Sequence, residues 1–226
     1  MTAEVRVGLL DSGLPRGPAI LRLVLGCGFR LDADQEVTAG MAEPDTLGHA
    51  SAVADAVLAR CPEASFLVAQ IFFFGKLVTT AAQAAAGLDW LVGQGAAVVN
   101  MSFGLAADRA VLREACARAV ARGVILVAST PTHGDPVFPA SYAGVIRVTG
   151  DARCTAGEFS VLDGSRADFG AHVPTGQGIF GASVGTAQVT GEIARYLAAG
   201  GTRSADAVRA HLRSLCRYAG PQRRAQ

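Results

Sequence analysis

What the chain lacks narrows its class first. It has no excess of charge: the formal balance over 226 residues is +1. No strong field therefore points to nucleic acid or to an anionic membrane as a partner. No apolar run reaches the roughly 20 residues that a membrane-spanning helix needs. The first residues, Met1 to Arg6, lack a basic stretch followed by a long apolar one. No secretory signal is expected, and the cytoplasm is the expected location. The cysteines Cys27, Cys61, Cys116, Cys154 and Cys216 are odd in number, scattered, and form no Cys-x-x-Cys pair. Buried free thiols are expected rather than disulfides or a metal site. No internal repeat, low-complexity stretch or linker marks a boundary, so residues 1–226 are expected to form one domain.

What is present is apolar and small-residued. Half of the chain is hydrophobic and 27 residues are glycine, which favours helices packed closely on a sheet. Val5 to Leu10 is a continuous apolar run ending at Asp11, the pattern of a buried parallel strand. Further strands are expected at 66–73, 96–101, 124–128 and 145–148. Helices are expected at 50–60, 79–94, 107–122, 185–197 and 204–216, the last with Ser204 as N-cap and Asp206 in its first turn. Cys154 to Gln177, rich in Gly, Ser and Asp, reads as a loop or hairpin region over the sheet. The basic tail from Arg213 to Arg224 reads as a solvated terminus. Alternation of strand and helix implies an α/β fold, a mostly parallel sheet with helices on both faces. Ligand sites in such sheets lie outside the carboxyl ends of the strands, where Asp11 and the segment after Ala128 fall.

Three residues could carry chemistry together. A serine hydroxyl is a poor nucleophile at neutral pH and needs a base within hydrogen-bond reach. Histidine suits the base, because its pKa lies near working pH. A carboxylate suits the group that orients the histidine and stabilises its charged form. Asp11, His49 and Ser183 supply these types, in a chain order known for such triads. Taken singly, Asp11 fits a turn residue, His49 a satisfied structural histidine, and Ser183 a helix N-cap.

The words around these residues resemble the subtilisin family, the subtilases. Val7-Gly8-Leu9-Leu10-Asp11-Ser12-Gly13 is similar to the family's Asp segment. Gly48-His49-Ala50-Ser51-Ala52-Val53-Ala54 is similar to its His segment, with several changes. Gly181-Ala182-Ser183-Val184-Gly185-Thr186-Ala187-Gln188-Val189-Thr190-Gly191 is similar to its Ser segment. Gly87-Leu88-Asp89-Trp90 and Val98-Val99-Asn100-Met101-Ser102-Phe103-Gly104 resemble its helix and substrate-pairing strand. Phe138-Pro139-Ala140-Ser141-Tyr142 and Val145-Ile146-Arg147-Val148 resemble a later pair of stretches. The resemblance covers about residues 5 to 200 and implies a subtilisin-like three-layer fold. It implies Ser183 as nucleophile, His49 as proton carrier and Asp11 as the group that holds His49. It also implies an oxyanion hole at the Ser183 backbone N–H, substrate pairing along Ser102, Phe103 and Gly104, and a facing wall at Ala128, Ser129 and Thr130.

Departures from the family pattern qualify those roles. Thr132 stands where the family has its oxyanion-hole Asn, a shorter donor, with His133 as an alternative. Thr186-Ala187 replaces a Ser-Pro pair after the nucleophile, which should alter helix entry rather than chemistry. The step from Arg60 through Cys61-Pro62-Glu63 leaves no room for the calcium loop often found there, so no metal is expected at that site. No cofactor is expected either. Only ten residues precede Asp11, so no prodomain is expected, and the chain would fold unaided or with a partner. In Ile71-Phe72-Phe73-Phe74, alternate rings suit the core, and at least one is a candidate for the substrate pocket.

Within the family, size and departures most resemble the small subtilase that removes the leader peptide from the γ-subunit of quinohemoprotein amine dehydrogenase. That resemblance implies a peptide or protein precursor, thioether cross-linked, as substrate. The radical enzyme that cross-links it would be a possible partner. Two alternatives stay open: another intracellular peptide-processing or acyl-transferring subtilase, and a leader-binding pseudoprotease.

Overall fold

A computed structural model describes residues 4–164, 166–173 and 181–220. Among the described residues the strands are β1 (Arg6–Asp11), β2 (Leu23–Leu31), β3 (Val37–Met41), β4 (Ser65–Gln70), β5 (Val98–Met101), β6 (Ile125–Ser129), β7 (Ile146–Gly150), β8 (Phe159–Val161), β9 (Phe169–Ala171) and β10 (Cys216–Ala219). The helices are α1 (His49–Leu58), α2 (Ala81–Gly93), α3 (Ala110–Ala121), α4 (Gly181–Ala198) and α5 (Ala205–Leu215). One sheet holds the strands in the order β10-β8-β9-β7-β6-β5-β1-β4-β2-β3. Neighbours pair in parallel except β2 with β3 and β8 with β9.

Alternation along the central strands explains the layering. In β1, Val7 and Leu9 join a core with residues of α1, α4 and α5, while Leu10 joins a second core with α2 and α3. Successive side chains point to opposite faces, so a strand apolar throughout requires cover on both. The α/β fold with a mostly parallel sheet and helices on both faces is thus as expected. Caps fix the helix starts. Thr80 and Gln83 form a capping box ahead of α2, satisfying two otherwise orphaned donors. The Ser204 hydroxyl accepts from Ala207 N–H at the start of α5.

Several boundaries differ from expectation. β2 and β3 occupy a stretch where no strand is expected, because most of their residues are only partly covered and the apolar signal is diluted. The expected strand over 66–73 ends at Gln70, whose side chain turns to bind the Ser12 and Phe72 carbonyls. The expected helix over 204–216 stops at Leu215, and Cys216 opens β10. The irregular stretch from Cys154 contains the β8–β9 hairpin; its residues 174–177 lie outside the described residues, as do 221–224 of the basic tail. The free cysteines include Cys61, Cys116 and Cys154, all buried. Burial, with Asp89 nearby, pushes the Cys116 thiol up to about 12, so it stays protonated and unreactive. No helix of the described residues is long and apolar enough to cross a membrane.

Close approach decides where α4 sits. A side-chain carbon at Gly191 would lie 2.7 Å from the Val57 carbonyl oxygen and 2.8 Å from Arg60 Cβ. Only glycine lets α4 rest this close to the end of α1. Both helices start at carboxyl ends of strands: His49 meets Asp11 at the end of β1, and a carbon at Gly185 would lie 3.4 Å from the Thr149 carbonyl in β7. They therefore run in the same direction, and their contact at Val57 and Gly191 falls eight residues beyond His49 in one and eight beyond Ser183 in the other.

Candidate active site

The site begins with a buried acid and a buried imidazole. Asp11 ends β1 and is fully buried; His49 opens α1 and is 1% exposed. His49 Nδ1 lies 2.6 Å from Asp11 Oδ1, and the same oxygen accepts the Ser12 backbone N–H at 2.7 Å. Burial pushes the His49 pKa down, but the charge and hydrogen bond of Asp11, with the charge of Asp45, outweigh it and raise it above 6.5. The pair thus stabilises an imidazolium in a place where burial alone would oppose one.

A second acid, missed by the sequence reading, builds the turn that carries His49. Asp45 is fully buried. Its Oδ1 accepts from the Ser12 hydroxyl at 2.9 Å and from the backbone N–H groups of Leu47 and Gly48 at 3.1 and 2.9 Å. Its Oδ2 accepts the Ser51 N–H and hydroxyl at 2.9 and 2.7 Å. Ser12 in turn accepts the Ala50 N–H at 3.0 Å. Burial raises the Asp45 pKa, yet the hydrogen bonds from Ser51, Ser12 and Gly48 bring it below the ordinary carboxylate value. Gly48 before His49 has φ +76°, the left-handed region glycine enters without penalty. The signal available was an Asp four residues ahead of His49, since Asx side chains commonly close such turns.

Ser183 stands in the first turn of α4 and is partly buried. First-turn backbone N–H groups have no intrahelical acceptor, and the helix dipole adds positive character there. Further along α4, the Thr190 hydroxyl donates to Asn100 Oδ1 at 3.0 Å, and Asn100 Nδ2 donates to the Ser102 hydroxyl at 2.8 Å. Asn100 is fully buried and links α4 to the segment after β5. Thr132, exposed in the loop after β6, has its hydroxyl 3.1 Å from that of buried Thr149. Because Thr149 abuts Gly185, this loop reaches the side of β7 where α4 begins.

Ser102, Phe103 and Gly104 line a cavity of about 330 Å³ together with Phe72, Leu77, Val78, Thr79 and Leu105. Phe72 and Phe103 meet edge to face, ring centres 6.2 Å apart. One of the expected phenylalanines thus faces this cleft. Ala128, Ser129 and Thr130 are buried at and just beyond the end of β6, outside the lining of this cavity. Among the described residues no group of three or more His, Cys, Asp or Glu side chains gathers as a metal site.

The family model for subtilases matches residues 2–218. The chain belongs to the subtilase family. Among curated proteins it is 27% identical over 161 residues to subtilisin DY of Bacillus licheniformis, a match covering 65% of this chain and 56% of that protein. It thus aligns with little over half of that relative's length. Solved structures share the fold. The nisin leader peptidase NisP of Lactococcus lactis superposes with a TM-score of 0.70 at 16% identity, over 91% of this chain and 81% of its own. A lanthipeptide protease gives 0.65 at 18%, over 93% and 79%.

Proposed function

We propose that this subtilase is a serine endopeptidase in which Ser183 attacks the peptide carbonyl. The buried 2.6 Å contact between Asp11 and His49 carries the reading. A histidine so held presents its Nε2 in a fixed direction and gains stability when protonated. In the proposed sequence His49 removes the Ser183 proton, the tetrahedral oxyanion forms beside the first turn of α4, and His49 then protonates the leaving amine. Water, deprotonated by His49, releases the acyl group from Ser183. The matched spacing of His49 and Ser183 from the α1–α4 contact supports their meeting at the carboxyl edge of the sheet. Thr132 is proposed as the side-chain donor to the oxyanion, with the Ser183 N–H as the backbone donor. The substrate would run along Ser102, Phe103 and Gly104 as an added strand, with Ala128, Ser129 and Thr130 as its opposite wall.

The finer reading is leader removal from a modified peptide precursor. The likeness to a nisin leader peptidase and a lanthipeptide protease favours it. Within that class we favour the thioether cross-linked γ-subunit of quinohemoprotein amine dehydrogenase, presented with the radical enzyme that cross-links it. The test is to incubate the protein, and its Ser183→Ala form, with the unprocessed cross-linked γ-subunit and follow the mass. One N-terminal fragment should be lost, and only with intact Ser183. An uncut precursor, with other leader-bearing peptides cleaved, would move the substrate elsewhere in the class. Binding of the precursor without any cleavage would favour the pseudoprotease.

A further inference from the structure

A second groove adjoins the cleft and has no part in the chemistry described. It encloses about 300 Å³ and is lined by Arg30, Leu31, Phe73, Phe74, Lys76, Val78 and Gln83. Val78 lines both cavities, so one extended chain could pass from one to the other. Phe74 is 88% exposed and sits at φ +57°. This left-handed region is uncommon for a bulky residue, so backbone strain accompanies an aromatic ring displayed to solvent. Val78 is 72% exposed. Arg30 lies against both rings, its guanidinium carbon 3.9 Å from the Phe73 centre and 5.7 Å from that of Phe74. Glu43 pairs with Arg30 at 2.5 Å. Lys76 is the chain's only lysine, and its ammonium makes no ion pair among the described residues.

We infer that this groove docks the part of the peptide substrate that lies beyond the residues held in the cleft, and that this part carries a carboxylate beside an apolar side chain. The inference rests on the peptidase reading for its occupant. The chemistry on display selects it. Exposed aromatic surface favours an apolar side chain, and Lys76 offers charge to a carboxylate that a basic or neutral segment could not use. Docking there would add affinity for long substrates without touching the reacting groups, and would confine cutting to chains that carry both elements. A protein acting inside a cell would gain selectivity this way at no cost in catalytic geometry.

The test compares two fluorescein-labelled synthetic peptides on the Ser183→Ala protein by fluorescence anisotropy. One carries a Glu-Phe-Glu segment ahead of an apolar cleft-filling segment; the other carries the cleft-filling segment alone. The long peptide should bind about tenfold tighter. Lys76→Glu and Phe74→Ser should abolish that advantage, leave the short peptide's binding unchanged, and leave wild-type kcat on the short peptide unchanged. Replacing Glu-Phe-Glu by Lys-Phe-Lys should restore affinity to Lys76→Glu. Equal affinity for both peptides, or equal weakening of both by the variants, would overturn the inference. Tight, Lys76-dependent binding together with no fluorophosphonate label on Ser183 of the wild type would instead overturn the peptidase reading and leave the groove standing.

Discussion

Two histidine–carboxylate pairs stand among the described residues, one fully buried and one with its imidazole partly exposed, and they are built in opposite ways. His49 and Asp11 lie 2.6 Å apart at the carboxyl edge of the sheet; His211 and Glu192 lie 2.9 Å apart where α4 meets α5. Around Glu192 each oxygen has two partners, at least one of them a guanidinium. Oε1 takes Arg195 and His211, and Oε2 takes Arg60 and Arg195. Burial raises the Glu192 pKa, but hydrogen bonds from Arg195, His211 and Arg60 bring it below its ordinary value. Around Asp11 the partners are one imidazole and one backbone N–H on Oδ1, while Oδ2 is buried without a partner among the described residues. Guanidinium groups never release their protons in proteins, so Arg60 and Arg195 keep positive charge beside Glu192. The Asp11 pair keeps its charge on a group that can trade a proton. One helix carries both arrangements: Ser183 opens α4, and Glu192 lies nine residues later, roughly 13 Å along its axis. The same pairing of imidazole with carboxylate is thus a fastener where guanidiniums surround it and, in the proposed mechanism, a proton-transfer device where they do not.

Substitutions that treat the two pairs alike should separate them. Asp11→Asn keeps the shape and removes the charge, so it should lower kcat by about 10⁴ with little change in KM. Glu192→Gln should leave kcat unchanged, yet cost about 1–3 kcal/mol of stability, because the partly exposed Arg60, Arg195 and His211 lose a buried charged acceptor. Urea denaturation with circular dichroism reads that loss. Its pH dependence has a definite sign. A carboxyl lowered in the folded state adds stability above its ordinary pKa and loses it as pH falls through the folded value. The gap between wild type and Glu192→Gln should therefore close in acid.

Asp45→Asn sharpens the comparison from within the active-site side. The amide nitrogen cannot accept the Ser51 donors, so about 1–3 kcal/mol of stability should be lost. Loss of the charge should also lower the His49 pKa. The acid limb of kcat/KM should lie above pH 6.5 in the wild type and move to lower pH in Asp45→Asn. A limb that stays in place would leave Asp45 with a purely architectural role.

How much of this was legible beforehand follows from range. β1 and α2 showed themselves because each is apolar or periodic over its own length. The edge strands β2 and β3 did not, since most of their residues are exposed or only partly covered and carry no alternation. The triad types were visible in local words, and the structure joins Asp11 to His49 across 38 residues. Asp45 was not singled out and Asn100 only as part of a family word, because their roles depend on burial and on partners brought in by the fold, Ser12 and Thr190 among them. The Glu192 cluster draws on Arg60 just past α1 and on α4 and α5, and no single segment announces it.

Labelling with a fluorophosphonate, followed by peptide mass mapping, tests the central claim most directly. If the Asp11–His49 pair activates Ser183, the wild type should carry the label on Ser183, and His49→Ala and Asp11→Asn should lose it while Glu192→Gln keeps it. No label in the wild type, or a label on Ser183 that survives His49→Ala, would contradict the account.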